Sequence, residues 1–334
     1  MMKRLDDIHP SLYYASLAEL IRSVKIILDK GVDVNAQGGY YGNALQAASA
    51  KDQDQVMQML LAKGADVNAQ GGYYGNALQA ALAKGHDQIV QMLLAKGADV
   101  NAQGGSYGNA LQAASAGGHD QVVQMLLAKG ADVNAQGGFY GNALQAASAG
   151  GHDQVVQMLL AKGTDVNAQG GFYGNALQGA SARGYDQVVQ MLLVKGVDVN
   201  AQGGFYGNAL QAASTKDHDQ VVQMLLAKGA DVNAQGRHYH NALYAASEGG
   251  HDQVVQMLLA KGADVNAQDG YYGNALQAAS ARGHDQVMQM LLAKGADVNA
   301  QDGHYSNALQ AASARGHDQV VQMLLAKGAD VRRL

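Results

Sequence analysis

Cysteine is absent from the 334 residues, so the chain can build neither a disulfide framework nor a thiolate metal site. That fits a reducing compartment. A basic excess is missing too. Lysine and arginine number 23 against 28 aspartates and glutamates, the net charge is −5, and only 15% of residues are charged. A surface for nucleic acid usually carries a strong basic excess, which argues against that class of partner. No run approaches the roughly 18 apolar residues of a membrane helix. The opening MMKRLDDIHP has no apolar signal-peptide core. No Gly-x-x-x-x-Gly-Lys-[Ser/Thr] phosphate loop occurs either. These absences leave a cytoplasmic protein with no membrane and no nucleic-acid partner as the expectation. Proline occurs once and glycine 43 times, and the reason lies in what the chain does contain.

It contains one stretch many times over. Val34 to Asp66, VNAQGGYYGNALQAASAKDQDQVMQMLLAKGAD, recurs eight more times without insertion or deletion. The closing Gly-x-Asp begins at Gly64, Gly97, Gly130, Gly163, Gly196, Gly229, Gly262, Gly295 and Gly328, a step of 33 residues each time. Nearly every glycine sits at repeat punctuation. Such self-similarity signals a stacked array in which each unit contacts only its neighbours. Residues 1–33 are a worn copy: Pro10-Ser11-Leu12 aligns with Asn43-Ala44-Leu45, and Gly31 with Gly64. Proline is favoured at a helix start. Lys3-Arg4 is offset by Asp6 and Asp7. We expect residues 1–33 to be a degenerate N-terminal capping repeat, with Arg22, Lys25, Asp29 and Lys30 on its outer face. Residues 34–334 are expected to form nine near-identical repeats in one array.

Each full unit predicts two short helices. The first runs from about Asn43 to Ala50, with Asn43 as N-cap. Its small residues Ala44, Ala47, Ala48 and Ser49 permit close packing, and Leu45 is the larger anchor. The second runs from about Asp54 to Lys63, with charges that complement the helix dipole at both ends. Val56, Met57, Leu60 and Leu61 form one apolar stripe, and Gln55 and Gln58 fall on the wet side. Gly64 ends the helix in the left-handed conformation. Ala65 to Gly75 is an extended turn and finger, rich in turn formers.

Helix, tight turn, helix, Gly-Ala-Asp-Val-Asn-Ala and a hairpin finger at period 33 resemble the ankyrin repeat over essentially the whole chain. The family's Thr-Pro-Leu-His is replaced here by Asn-Ala-Leu-Gln, as at Asn76-Ala77-Leu78-Gln79. Its Gly-His survives at Gly85-His86, Gly118-His119 and Gly151-His152. The variant Gly-Gly-aromatic-Tyr-Gly-Asn-Ala-Leu-Gln-Ala-Ala is similar to the near-identical arrays of filamentous fungi. Those arrays often form the sensor half of NLR-like proteins that carry a NACHT domain. The resemblance implies an all-α, curved ankyrin-repeat solenoid of about ten repeats with hairpin-like fingers, and partner binding on its concave side.

Variation among the copies is concentrated. The tyrosine at Tyr41, Tyr74, Tyr107, Tyr140, Tyr173, Tyr206, Tyr239, Tyr272 and Tyr305 is the same in every copy. The residue before it is not: Tyr40, Tyr73, Ser106, Phe139, Phe172, Phe205, His238, Tyr271, His304. A second variable column follows the first helix: Lys51, Lys84, Gly117, Gly150, Arg183, Lys216, Gly249, Arg282, Arg315. Smaller changes occur at Arg237, His240, Tyr244, Glu248, Asp269, Asp302 and Ser306. By the resemblance, both columns lie on or beside the concave face. Aromatics give large contact area at low entropy cost, and arginine is a common hot-spot residue. The candidate partner-binding residues are therefore the whole aromatic column together with Arg183, Lys216, Arg237, Arg282 and Arg315. Phe139, Phe172 and Phe205 are expected to be its most apolar part. The alternative is drift at exposed positions.

Other sites are set aside. Histidines recur at His86, His119, His152, His218, His251, His284 and His317. Stacked repeats lie about 8–10 Å apart, whereas zinc ligands lie about 2 Å from the metal. A turn histidine bonding between repeats is the better reading. Gly-Gly pairs such as Gly71-Gly72 read as turn geometry rather than phosphate cradles. Asp66-type carboxylates read as loop caps. The tyrosine rail could stack single-stranded nucleic acid, but the acidic net charge favours packing between fingers. No catalytic constellation stands out of the repeat background. The expectation is a non-catalytic recognition scaffold for a protein, with no metal and no cofactor. The rivals are a structural or self-assembling array that stacks through its uncapped C-terminal end, and a consensus-like designed or reconstructed array.

Overall fold

The computed structural model describes residues 9–236, 240–268, 270–301 and 303–333. The expectations for Lys3, Arg4, Asp6, Asp7, Arg237, His238, Tyr239, Asp269 and Asp302 fall outside the described residues. The described residues form twenty α-helices in ten pairs and a 3-10 turn at Val331–Arg333. They gather into two compact units that meet in sequence at Phe172 and Tyr173. The first unit holds the pairs His9–Leu17 and Ile21–Asp29, Ala44–Ser49 and Asp54–Ala62, Ala77–Leu82 and Asp87–Ala95, Ala110–Gly117 and Asp120–Ala128, and Ala143–Gly150 and Asp153–Ala161. The second holds Ala176–Arg183 and Asp186–Val194, Ala209–Ser214 and Asp219–Ala227, Ala242–Gly249 and Asp252–Ala260, Ala275–Arg282 and Asp285–Ala293, and Ala308–Arg315 and Asp318–Ala326.

The N-cap explains where each first helix starts. Asn43 has extended backbone, and its Oδ1 accepts the Gln46 N–H at 2.8 Å. The same bond recurs from Asn76 to Asn307. Every residue of Ala44–Ser49 is buried, because alanines let the flanking first helices approach closely. The second helix keeps one wet face: Val56, Met57 and Leu60 are buried, Leu61 is half-buried, and Gln55 and Gln58 are exposed. Burying each such aliphatic side chain contributes about 1.5–3 kcal/mol. Gly64 closes the helix at φ +84°, while Ala65 N–H donates to Leu60 O and Gly64 N–H to Leu61 O. That is the Schellman arrangement.

Fingers link the pairs. Gln37–Gly38 and Gly42–Asn43 form a short antiparallel hairpin, with Gln37 opposite Asn43 and Gly38 opposite Gly42. Single bridges repeat it at Gly71–Gly75, Gly104–Gly108, Gly137–Gly141 and Gly203–Gly207. Gly72, at φ +64°, lies so close to the preceding finger that a Cβ would sit 2.1 Å from the Tyr41 carbonyl.

Three polar ladders fasten repeat to repeat. Buried Gln46 donates from Nε2 to Ala69 O, Gly71 O and Gly75 O at 3.1–3.2 Å. Gln112 does the same to Ala135 O, Gly137 O and Gly141 O. Asn101 Oδ1 accepts the Asp132 N–H at 2.8 Å, and its Nδ2 donates to Gly130 O at 3.1 Å. Asp132 in turn caps the loop, its Oδ1 accepting the Asn134 N–H, as expected for carboxylates of the Asp66 type. The histidines bond between repeats, as the sequence suggests: His152 Nε2 lies 3.0 Å from Ala116 O and His317 Nε2 lies 3.1 Å from Ala281 O. Gln53, which replaces histidine in one copy, donates to Leu17 O at 3.1 Å and takes over the same role. Among the described residues, no three His, Asp or Glu side chains gather as a metal site requires. No described helix is long and apolar enough to cross a membrane.

Candidate functional site

Each fingertip carries two adjacent aromatic positions that the hairpin aims differently. The inner tyrosine points toward the small first helices. Tyr74 packs with Ala50 and Ala80, with Tyr41 and Tyr107 alongside. The inner rings stack from finger to finger: Tyr41–Tyr74 at 6.0 Å, Tyr74–Tyr107 at 6.2 Å and Tyr107–Tyr140 at 6.4 Å in the first unit. Tyr173–Tyr206 and Tyr272–Tyr305 repeat this in the second. Burial pushes the Tyr74 and Tyr107 hydroxyls up from the ordinary tyrosine pKa, reinforced by neighbouring tyrosines. The inner tyrosines therefore act as spacers between fingers, and Tyr74 and Tyr107 each fit between two others.

The outer position meets its inner neighbour edge-on. Tyr40–Tyr41, Phe139–Tyr140, Phe205–Tyr206 and Tyr271–Tyr272 stand 5.0–5.2 Å apart at 83–89°. This projects the outer ring into solvent. Tyr40, Tyr73, Phe139, Phe172, Tyr271 and His304 are exposed, and Phe205 is half-buried. Outer rings also stack face to face: Tyr40 on Tyr73 at 5.0 Å, Phe139 on Phe172 at 5.2 Å, and Tyr271 on His304 at 5.0 Å. Each such pair is worth about 0.5–1.5 kcal/mol beyond burial. The backbone holds the stack in register. Tyr73, Ser106, Phe139 and Phe172 each donate their N–H to the carbonyl of the preceding fingertip at 2.8–3.0 Å. Ser106 keeps that backbone bond but supplies no ring.

The basic column lies elsewhere than a free row of charges would. Arg183 donates from Nε and Nη2 to Tyr173 Oη at 3.2 and 3.1 Å. Arg315 Nε donates to Tyr305 Oη at 2.9 Å, and its guanidinium lies over the same ring. Arg282 sits over Tyr272 and donates to Glu248 Oε1 at 2.7 Å. These arginines are exposed yet docked on the inner tyrosines or on a carboxylate, so the two columns are coupled. Lys51, Lys84 and Lys216 are exposed. From Ala44–Ser49 to Ala275–Arg282 the first helices are buried except for at most their last two residues, which narrows the accessible surface there to the outer rings and the residues that close each helix.

Sequence reasoning missed the role of the buried glutamine, and with it the meaning of Tyr244. Tyr244 occupies the glutamine position, and its Oη accepts the Tyr272 N–H at 3.2 Å. Tyr13 occupies the corresponding position in the first repeat and accepts the Tyr41 N–H at 3.2 Å. Both tyrosines replace the glutamine fastener with an aromatic one. Burial pushes the Tyr244 hydroxyl up to about 12, against the lowering effect of the Tyr272 N–H. The available signal was the alignment itself, since Tyr13 and Tyr244 share one repeat position.

A family model described as ankyrin repeats (3 copies) matches residues 12–104, 103–170, 177–269 and 270–334. No curated protein matches the chain. Among solved structures, the chain is similar to the human ASB11 ankyrin repeat domain. The two share 24% identity over 66% of this chain and 98% of that one, with a TM-score of 0.57. That similarity speaks to the fold alone.

Proposed function

The chain belongs to the ankyrin-repeat family, and from that premise we propose that it is a non-catalytic scaffold that binds a protein through its fingertips. Ankyrin repeats generally serve protein–protein interaction. The observation that carries the reading is the outer ring column: apolar faces held outward by edge-on inner tyrosines and a hydrogen-bonded backbone. Copies that are otherwise almost identical differ at this projecting position. Rigid aromatic surface at low entropy cost is what a recognition site needs. Arg183, Lys216, Arg282 and Arg315 flank it and favour an acidic or aromatic-rich partner. Arg237 and His238 are proposed members of the same surface on their sequence positions. Residues 1–33 serve as the N-terminal cap, consistent with exposed Arg22, Lys25, Asp29 and Lys30. The likeness to the sensor half of NLR-like proteins points the same way, toward an array that recognises another molecule in the cytoplasm.

The test compares the intact chain with a variant carrying Phe139→Ala, Phe172→Ala, Phe205→Ala and Arg183→Ala as baits in extract of the source cells. A protein retained by the first and lost by the second, with both baits equally folded by circular dichroism, supports the reading. Identical captures contradict it.

A further inference from the structure

We propose that Tyr40 and Tyr73 form an oxidative modification site, where a one-electron oxidant joins the two rings as dityrosine and clips neighbouring fingertips together. Such a link needs no partner protein. The rings stack with centroids 5.0 Å apart and planes 19° from parallel. Tyr73 N–H donates to Tyr40 O at 3.0 Å, which holds the two fingertips in that register. Both rings occupy the same repeat position on adjacent fingers, so the repeat carries one onto the other and sets the carbons ortho to the two hydroxyls side by side. Tyr40 is 59% exposed and Tyr73 47%, so an oxidant in solution reaches both, whereas the inner Tyr74 is 7% exposed. Within the outer column, tyrosine stands at two consecutive fingertips only here. Phe139–Phe172 and Tyr271–His304 stack in the same way, at 5.2 and 5.0 Å with planes 14° and 18° apart, but neither pair offers two phenols.

The composition directs one-electron oxidation to tyrosine. The chain has no cysteine and no tryptophan, the side chains that would otherwise give up an electron first or quench a tyrosyl radical. Methionine takes an oxygen atom from peroxide instead, which adds mass and forms no link. The coupling step balances. Each phenol loses one electron and its hydroxyl proton, and the two radicals form one carbon–carbon bond between ortho carbons. The two displaced ring hydrogens move through water to the oxygens and restore both phenols. Hydrogen peroxide, acting through a haem peroxidase, takes up the two electrons and two protons and leaves as two waters. The product closes a loop one repeat long in a chain that has no cysteine for a disulfide.

Treating the full chain with hydrogen peroxide and a haem peroxidase tests this, read by dityrosine fluorescence of the monomer and by mass spectrometry of tryptic peptides. Tyr40 and Tyr73 fall in separate tryptic peptides, residues 31–51 and 64–84. The expected product is one dominant link between those two peptides, lighter than their sum by two hydrogen atoms. Tyr40→Phe and Tyr73→Phe each install the residue that the same position holds at Phe139, Phe172 and Phe205. Both variants should keep the parent's circular dichroism and lose the fluorescence, while Tyr271→Phe should keep both. A link between the same peptides that survives Tyr40→Phe belongs to the inner tyrosines and overturns the assignment. Links spread over many tyrosine peptides, links confined to dimers, or oxidation without any link also overturn it.

Discussion

Asp52 and Asp217 adopt φ +60° and +61° where other repeats use a glycine such as Gly118 at +70°. Asparagine and aspartate tolerate this left-handed region better than other residues with a Cβ, and β-branched residues tolerate it worst. Each aspartate also places a carboxylate 3.6 Å from the next repeat's histidine, Asp52 by His86 and Asp217 by His251. Gly118→Val should therefore cost about 2 kcal/mol or more in urea denaturation, and Gly118→Asp less than about 1. Equal losses would contradict the conformational account. Tyr244 gives a pH prediction. Its folded pKa of about 12 lies above the ordinary tyrosine value of 10.0, so the native state holds the proton more tightly. The contribution is complete below about pH 10 and is lost as pH rises toward 12. Urea titrations between pH 9 and 12 should show the parent losing more stability than Tyr244→Gln. Parallel curves would remove the linkage. None of this was legible from composition: Asp52 reads as an ordinary break residue until its φ is seen.

At the scale of elements, the sequence specified the helices nearly to the residue. The Asn43 cap, the Asp54 start, the apolar stripe and the Gly64 stop are local signals, each set within one turn. The fasteners were not legible, because their partners lie far along the chain. Gln112 Nε2 reaches carbonyls 23 to 29 residues ahead, and His152 reaches one 36 residues back. No helical or strand period encodes such distances. The docking of arginine on tyrosine was not legible for the same reason, since Tyr173 lies ten residues before Arg183 and on a different element. Gln112→Leu should leave the finger carbonyls unpaired and cost about 1–3 kcal/mol. Hydrogen exchange should locate the loss at Gly137 to Gly141, whereas exchange that rises only at the second helices would contradict the fastener role. At the histidine position, His152→Gln should cost no more than a few tenths of a kcal/mol, because Gln53 already makes that bond. His152→Ala should cost about 1 kcal/mol. Thermal denaturation separates the two.

For the molecule as a whole, the variable column was visible in the sequence, but its form was not. Repetition revealed which positions differ. Only the hairpin geometry explains why Phe139 projects while Tyr140, one residue on, packs inward. The scaffold reading predicts a light-scattering mass that stays constant with concentration, while growth into long species would favour the self-assembling array, whose open contacts build filaments. The most direct measurement is hydroxyl-radical footprinting of the chain alone and with the protein it captures. Outer rings and second-helix methionines report opposite parts of each repeat within one sample. The account predicts protection of Tyr73, Phe139 and Phe172, with unchanged labelling of Met92, Met125 and Met158. Protection of those methionines with the fingertip rings still open would contradict it and place the partner on the second helices.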